Sequence, residues 1–122
     1  MTSRPPWGHE RRRSPRVEPE DLPEAVSVVG ARLLDISHGG LAIEAPIPLA
    51  PESNLRLRLV VGGVKTELET RVADCCRRTS NRSRPWGVGV EFTEVPNATR
   101  QRLTKILSPQ TLRPRKRRPR PA

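Results

Sequence analysis

The stretch ARLLDISHGGLAIEA, residues 31–45, places a short polar turn between two apolar runs. The turn, residues 35–40, has the pattern Asp-x-Ser-x-x-Gly. These residue types favour turns, because Asp and Ser side chains bond to the nearby backbone and Gly adopts unusual backbone angles at little cost. The stretch therefore predicts two consecutive antiparallel strands with the Asp-x-Ser-x-x-Gly turn at their connection.

The segments on both sides of this stretch also have strand-like patterns. Further strands are predicted over residues 25–29, 55–60, 64–78 and 86–92. In the second of these segments Leu55, Leu57 and Leu59 alternate with other residues, which is the period of a strand with one buried face. Gly62-Gly63 then predicts a tight hairpin into the next strand.

A single helix is predicted after the last strand. Asn97 follows a proline and is a suitable N-cap. Leu103, Ile106 and Leu107 have the spacing of one apolar helix face, and Ser108-Pro109 ends the pattern. The whole pattern predicts an all-β dominated fold, a small six-stranded antiparallel β-barrel with one C-terminal α-helix and disordered basic ends.

The positive charge of the chain is concentrated at its two ends. Residues 1–16 carry +4 and residues 108–122 carry +6, whereas residues 17–107 are neutral, within a total of +10. The folded body is therefore not expected to be a basic surface for nucleic acids. We interpret residues 1–10 as a flexible arm, residues 11–107 as the barrel domain and residues 108–122 as a disordered Arg- and Pro-rich tail.

Several other classes of protein do not fit the sequence. Cys75 and Cys76 are the only cysteines, and adjacent cysteines rarely form a disulfide, so we expect a reducing compartment and neither metal nor cofactor. No signal peptide and no apolar run of about 20 residues is visible, which predicts a cytoplasmic protein without a transmembrane segment. Neither a Ser-His-Asp arrangement nor a P-loop is visible, so we expect no enzyme and no catalytic residues.

A second polar motif precedes the first predicted strand. Residues 12–16, Arg-Arg-Ser-Pro-Arg, contain an Arg-x-x-x-Arg pattern that only Arg12 and Arg16 satisfy. Arginine forks fit phosphates and the O6/N7 edge of guanine, and a carboxylate accepts hydrogen bonds from guanine N–H groups. The two motifs, in this order before a barrel and a helix, resemble the PilZ domain, a bacterial receptor module for cyclic di-GMP. The strand WGVGVEF, residues 86–92, also resembles the last strand of that family.

This resemblance implies roles for the arginines. Arg12 and Arg16 would bind the phosphates and guanines of cyclic di-GMP, and Arg13 between them could add a further contact. The segment that carries them would be mobile in the empty protein and would wrap the ligand against the barrel. The resulting change of surface would be signalled to a downstream protein partner.

The resemblance also implies roles for the turn. Asp35 would accept hydrogen bonds from the Watson–Crick edge of a guanine. Ser37 would donate its hydroxyl to a phosphate or a base. Gly40 would permit either a close backbone approach or a positive φ.

Two other functions are compatible with the same sequence. The domain could be a PilZ-fold protein-interaction adaptor that binds no nucleotide. The basic tail could instead bind nucleic acid or an anionic membrane, since six positive charges lie within residues 113–120. No aromatic residue lies among these charges, so base stacking by the tail is not expected.

Overall fold

The computed structural model describes residues 16–79, 82–109 and 111–112, which form six antiparallel strands followed by a helix. The strands are β1 (Val26–Val28), β2 (Arg32–Ile36), β3 (Gly40–Ala45), β4 (Asn54–Val61), β5 (Val64–Arg77) and β6 (Trp86–Glu94), and the helix is α1 (Asn97–Ile106). The predicted fold class is confirmed. The predicted arm, Arg12, Arg13 and residues 113–122 of the tail lie outside the described residues.

The sheet curls into a nearly closed barrel. Its strand order is β1-β4-β5-β6-β3-β2, and every neighbouring pair is antiparallel. β1 and β2 stand at the two ends of this order, but they are consecutive in the chain and meet at a bridge between Val28 and Ala31. The turn between them therefore brings the two edges of the sheet together.

The interior of the barrel is aliphatic, as the alternating pattern predicts. Its most deeply buried apolar residues are Ile36, Leu41, Leu59, Leu68, Val72, Val88 and Val90. Leu103 and Ile106 of α1, together with Leu107 just after it, belong to the same apolar cluster. An ion pair between Arg102 Nη2 and Glu24 Oε1, 2.8 Å long, also joins the helix to the segment before β1. Within the described ranges, no helix is long and apolar enough to cross a membrane.

Two sequence predictions about turns and caps have different outcomes. The hairpin at Gly62-Gly63 is confirmed, with φ values of 55° and 86° that suit the turn types favoured between antiparallel strands. The prediction that Asn97 is the N-cap of the helix is wrong by one residue. Pro96 is the N-cap, because its extended backbone presents its carbonyl oxygen to the Arg100 N–H at 2.9 Å, and it offers no side-chain cap.

A β-bulge in β2 decides the orientation of Asp35. Leu33 pairs with Ile43 and Asp35 pairs with Ala42, so Leu34 is an extra residue on β2. A bulge of this kind shifts the alternation of side chains by one position. Leu33 on one side of the bulge is consequently buried in the core, while Asp35 after it faces outward.

A second bulge has the same effect on β5. Val72 pairs with Val90 and Asp74 pairs with Gly89, so Ala73 is the extra residue. Val72 is buried before the bulge, and Asp74 faces outward after it. On the outer face, one line of directly paired residues therefore crosses four strands: Asp35 on β2, Ala42 on β3, Gly89 on β6 and Asp74 on β5. We call this line the outer row.

Candidate functional site

The residues that follow the Arg-x-x-x-Arg motif are attached to β2. The Val17 N–H donates to the Ile36 carbonyl and the Ile36 N–H donates to the Val17 carbonyl, both at 2.9 Å. The Val17 side chain is buried in the core. Because neighbouring residues of an extended chain face opposite sides, Arg16 faces outward beside the outer row.

Arg16 and Asp35 bring the two sequence motifs together. Arg16 Nε lies 3.3 Å from Asp35 Oδ1, and both side chains are partly buried. Burial lowers the pKa of the Arg16 guanidinium, while the carboxylates of Asp35 and Asp74 raise it. The guanidinium therefore lies within electrostatic range of the carboxylates at both ends of the outer row.

The Asp35 carboxylate has an unused acceptor. Its Oδ1 atom is buried and has no hydrogen-bond partner among the described residues, although Arg16 is close to it. Burial raises the pKa of Asp35 above its ordinary value of 3.8, and the nearby charges of Arg16 and Arg78 lower it. A buried acceptor without a donor is costly, so this oxygen is suited to accept a hydrogen bond from a ligand.

Ser37 stabilises the turn through hydrogen bonds to Gly39 and Gly40. Ser37 is only 2% exposed. The hydroxyl donates to the Gly40 carbonyl at 3.3 Å and accepts from the Gly39 N–H, also at 3.3 Å. The Ser37 N–H donates to the same carbonyl at 2.8 Å. These bonds define the shape of the turn, and a direct bond from Ser37 to a ligand stays a prediction.

Gly40 permits a close approach between two strands. A Cβ atom built at Gly40 would overlap the carbonyl oxygen of Val90 on β6. The positive-φ glycines of the described chain are Gly30, Gly62 and Gly63. Of the two roles considered for Gly40, the structure therefore shows the close backbone approach and not a positive φ.

The structure thus places Arg16, Asp35, Ser37 and Gly40 at one end of the β2–β3 pair. The positions of Arg12 and Arg13 lie outside the described residues. A sequence model of the PilZ domain family matches residues 10–108 of the chain. The chain belongs to the PilZ domain family. PilZ domains are binding and adaptor modules, and the family is a family of cyclic di-GMP receptors.

The solved structures agree with this PilZ fold. The chain is similar to the Bacillus subtilis inhibitor of motility (MotI/DgrA), with a TM-score of 0.53 and 21% sequence identity. The similarity covers 78% of this chain but 48% of that one, so this PilZ domain corresponds to about half of the longer protein. No curated protein matches the chain.

Sequence reasoning missed two charged residues close to these four residues of the PilZ domain, Asp74 and Arg78. Asp74 lies at the far end of the outer row, and Arg78 is close enough to Asp35 to lower its pKa. Both are even-numbered residues of one extended segment, so alternation predicts that they share a face. Whether this is the inner or the outer face depends on the bulge at Ala73, and no Gly or Pro marks that bulge in the sequence.

Proposed function

We propose that this PilZ domain is a bacterial receptor for cyclic di-GMP. The observation that carries the proposal is the buried Oδ1 atom of Asp35, which is ion-paired with the guanidinium of Arg16 but accepts no hydrogen bond from a described residue. An arginine and a carboxylate at one place complement a ligand that has both phosphodiester charges and guanine N–H donors. Both side chains face outward and are partly exposed.

Asp35 supplies the selectivity for guanine. The Watson–Crick edge of guanine has two adjacent donors, N1–H and N2–H₂, which a carboxylate can accept together. Adenine has an acceptor at N1, so its edge would face the carboxylate with a repelling lone pair. Binding of a guanine would also satisfy Oδ1, which no described residue does.

The arginines supply the affinity for the phosphates. Arg16 is held close to the site because Val17 is bonded to β2. Arg12 and Arg13 precede it by four and three residues in the chain, and we propose that they bind the same ligand. We propose that binding draws residues 10–16 over the outer row, and that a downstream protein recognises the rearranged surface. We expect a dissociation constant for cyclic di-GMP in the micromolar range or below, which corresponds to a binding free energy of about −8 to −9 kcal/mol.

Calorimetric titration with cyclic di-GMP and with cyclic di-AMP tests this proposal. At pH 7 cyclic di-GMP should bind saturably, and cyclic di-AMP should bind at least about tenfold more weakly, because one bidentate base contact contributes about 1–3 kcal/mol of discrimination. Equal affinity for the two dinucleotides would contradict the role of Asp35.

The affinity should also fall on acidification. The ligand binds the ionised form of Asp35, so a protonated carboxyl must lose its proton before the complex forms. Because the pKa of Asp35 in the free protein lies above 3.8, the fall should begin at a higher pH than for an ordinary aspartate. Asp35→Asn, which cannot titrate, should bind weakly with no such fall. An affinity that rises on acidification would contradict the assignment.

A further inference from the structure

Arg78 directly follows β5, and its side chain lies across Gly87 on the neighbouring strand. A Cβ atom at Gly87 would be 2.7 Å from Arg78 Cδ and 3.4 Å from Arg78 Cγ. The Arg78 N–H also donates to the Pro85 carbonyl at 2.5 Å, which fixes the base of the side chain. The aliphatic part of Arg78 therefore occupies a space that exists because residue 87 is glycine.

Glu44 attracts the guanidinium of Arg78 without using its donors. Glu44 pairs with Gly87 across β3 and β6, and it is only 1% exposed. Its Oε2 atom is 4.0 Å from Arg78 Nε, a distance too long for a hydrogen bond. In the part of the chain that the structure describes, no residue accepts a hydrogen bond from the Arg78 guanidinium. Its N–H groups are thus available to a ligand.

Arg78 and Arg16 approach the same carboxylate from different parts of the chain. Arg16 precedes the residue bonded to β2, whereas Arg78 belongs to the connection between β5 and β6. Gly87, against which the Arg78 side chain lies, is two residues from Gly89 of the outer row and faces the same side of β6, so Arg78 lies beside this row. The positive charges of Arg16 and Arg78 both lower the pKa of Asp35, in agreement with this placement. The side chain of Arg78 is 43% exposed, so a ligand at Asp35 could contact it.

We propose that Arg78 is a further ligand-binding arginine of this site, which donates to a phosphodiester of cyclic di-GMP from the β5 side while Arg16 binds from the β2 side. The proposal rests on the proposed function. A planar guanidinium fits a phosphate with two parallel hydrogen bonds, which a lysine cannot reproduce. Gly87 and Glu44 are the positioning residues, since they place the side chain but do not touch the ligand.

Titration of the full chain with cyclic di-GMP tests this assignment, with Arg77 as the matched control. Arg77 is the adjacent arginine, but its guanidinium lies 5.5 Å from the ring centroid of Trp86 and faces the other side of the strand. Arg78→Ala should weaken binding at least fivefold and reduce its dependence on salt. Arg77→Ala should change the affinity less than twofold. Equal affinities of the two variants would overturn the proposal.

Gly87→Ala moves Arg78 without removing it. The added methyl group meets a flexible side chain and not the backbone, so the variant should fold with a melting temperature close to that of the wild type. It should nevertheless weaken the binding of cyclic di-GMP at least threefold. An affinity equal to that of the wild type would show that Gly87 does not position Arg78 for the ligand.

If Arg16→Ala weakens binding but Arg78→Ala does not, this inference fails and the proposed function stands. If the wild type does not bind cyclic di-GMP, both fail.

Discussion

Arg16→Ala is expected to weaken the binding of cyclic di-GMP at least tenfold. The guanidinium lies 3.3 Å from the Asp35 carboxylate and is held there by the backbone pairing of Val17 with Ile36. A charge-assisted hydrogen bond contributes about 1.5–3 kcal/mol, and every 1.4 kcal/mol or so corresponds to a factor of ten in affinity. Calorimetric titration of purified wild type and variant at one fixed salt concentration measures the effect.

Asp35→Ala should cause a loss of similar size for a different reason. It removes the acceptor for the guanine, so the discrimination against cyclic di-AMP should disappear together with the affinity. Arg58→Ala is the matched control, because Arg58 is also an exposed arginine paired with a carboxylate, Glu67 Oε2, at 3.6 Å, but it lies on β4, away from the outer row. If neither Arg16→Ala nor Asp35→Ala binds more weakly than Arg58→Ala, the assignment of the site is wrong.

Gly40→Ala is expected to destabilise the domain by about 3 kcal/mol, in the upper part of the range for overpacked sites. The new methyl group would overlap the carbonyl oxygen of Val90, which is backbone and cannot rotate away. β3 and β6 would have to separate where Gly40 pairs with Glu91, next to the turn that carries Asp35 and Ser37. For a domain of this size the melting temperature should fall by at least about 10 °C.

Gly39→Ala provides the matched comparison for this prediction. Gly39 is the neighbouring glycine of the same turn, its φ is not positive, and a Cβ atom there meets nothing within 4 Å. Thermal unfolding followed by circular dichroism should show Gly39→Ala close to the wild type. A melting temperature of Gly40→Ala within 2 °C or so of Gly39→Ala would mean that the strands do not approach as closely as described.

The strands and their connections could be predicted because they depend on local patterns. The alternation around Leu57 and Leu59 reports directly which side chains are buried, and both are. Gly62-Gly63 marks a hairpin because few other residues adopt its backbone angles. The spacing of Leu103, Ile106 and Leu107 likewise reports one buried helix face, which the structure confirms.

The face on which the charged residues lie could not be predicted in the same way. Leu34 and Ala73 are ordinary strand residues, and each becomes a bulge only because of how its strand pairs with the next. Without the bulge after Leu33, alternation would direct Asp35 into the core. Arg78 was missed for the same reason, since its place beside Asp35 depends on the pairing of β5 with β6 and on the space above Gly87.

The role of Ser37 in the folded chain also could not be predicted from the motif alone. Its hydroxyl is the natural candidate for a ligand contact, yet in the folded chain it bonds to Gly39 and Gly40. Such local bonds are common for serine in turns. The motif thus specifies the shape of the turn as much as it specifies chemistry, and Asp35 is its outward-facing acceptor.

Amide hydrogen exchange of the full chain, followed by mass spectrometry with and without cyclic di-GMP, is the most direct measurement of the proposed binding mode. Saturating ligand should slow exchange in peptides covering residues 10–18 and in peptides covering residues 33–42, with the same half-saturation for both, while β4 and α1 stay unchanged. Cyclic di-AMP at the same concentration should give little protection. Protection confined to residues 108–122, or to β4, would show that the dinucleotide binds elsewhere and would contradict a site formed by Arg16 and Asp35.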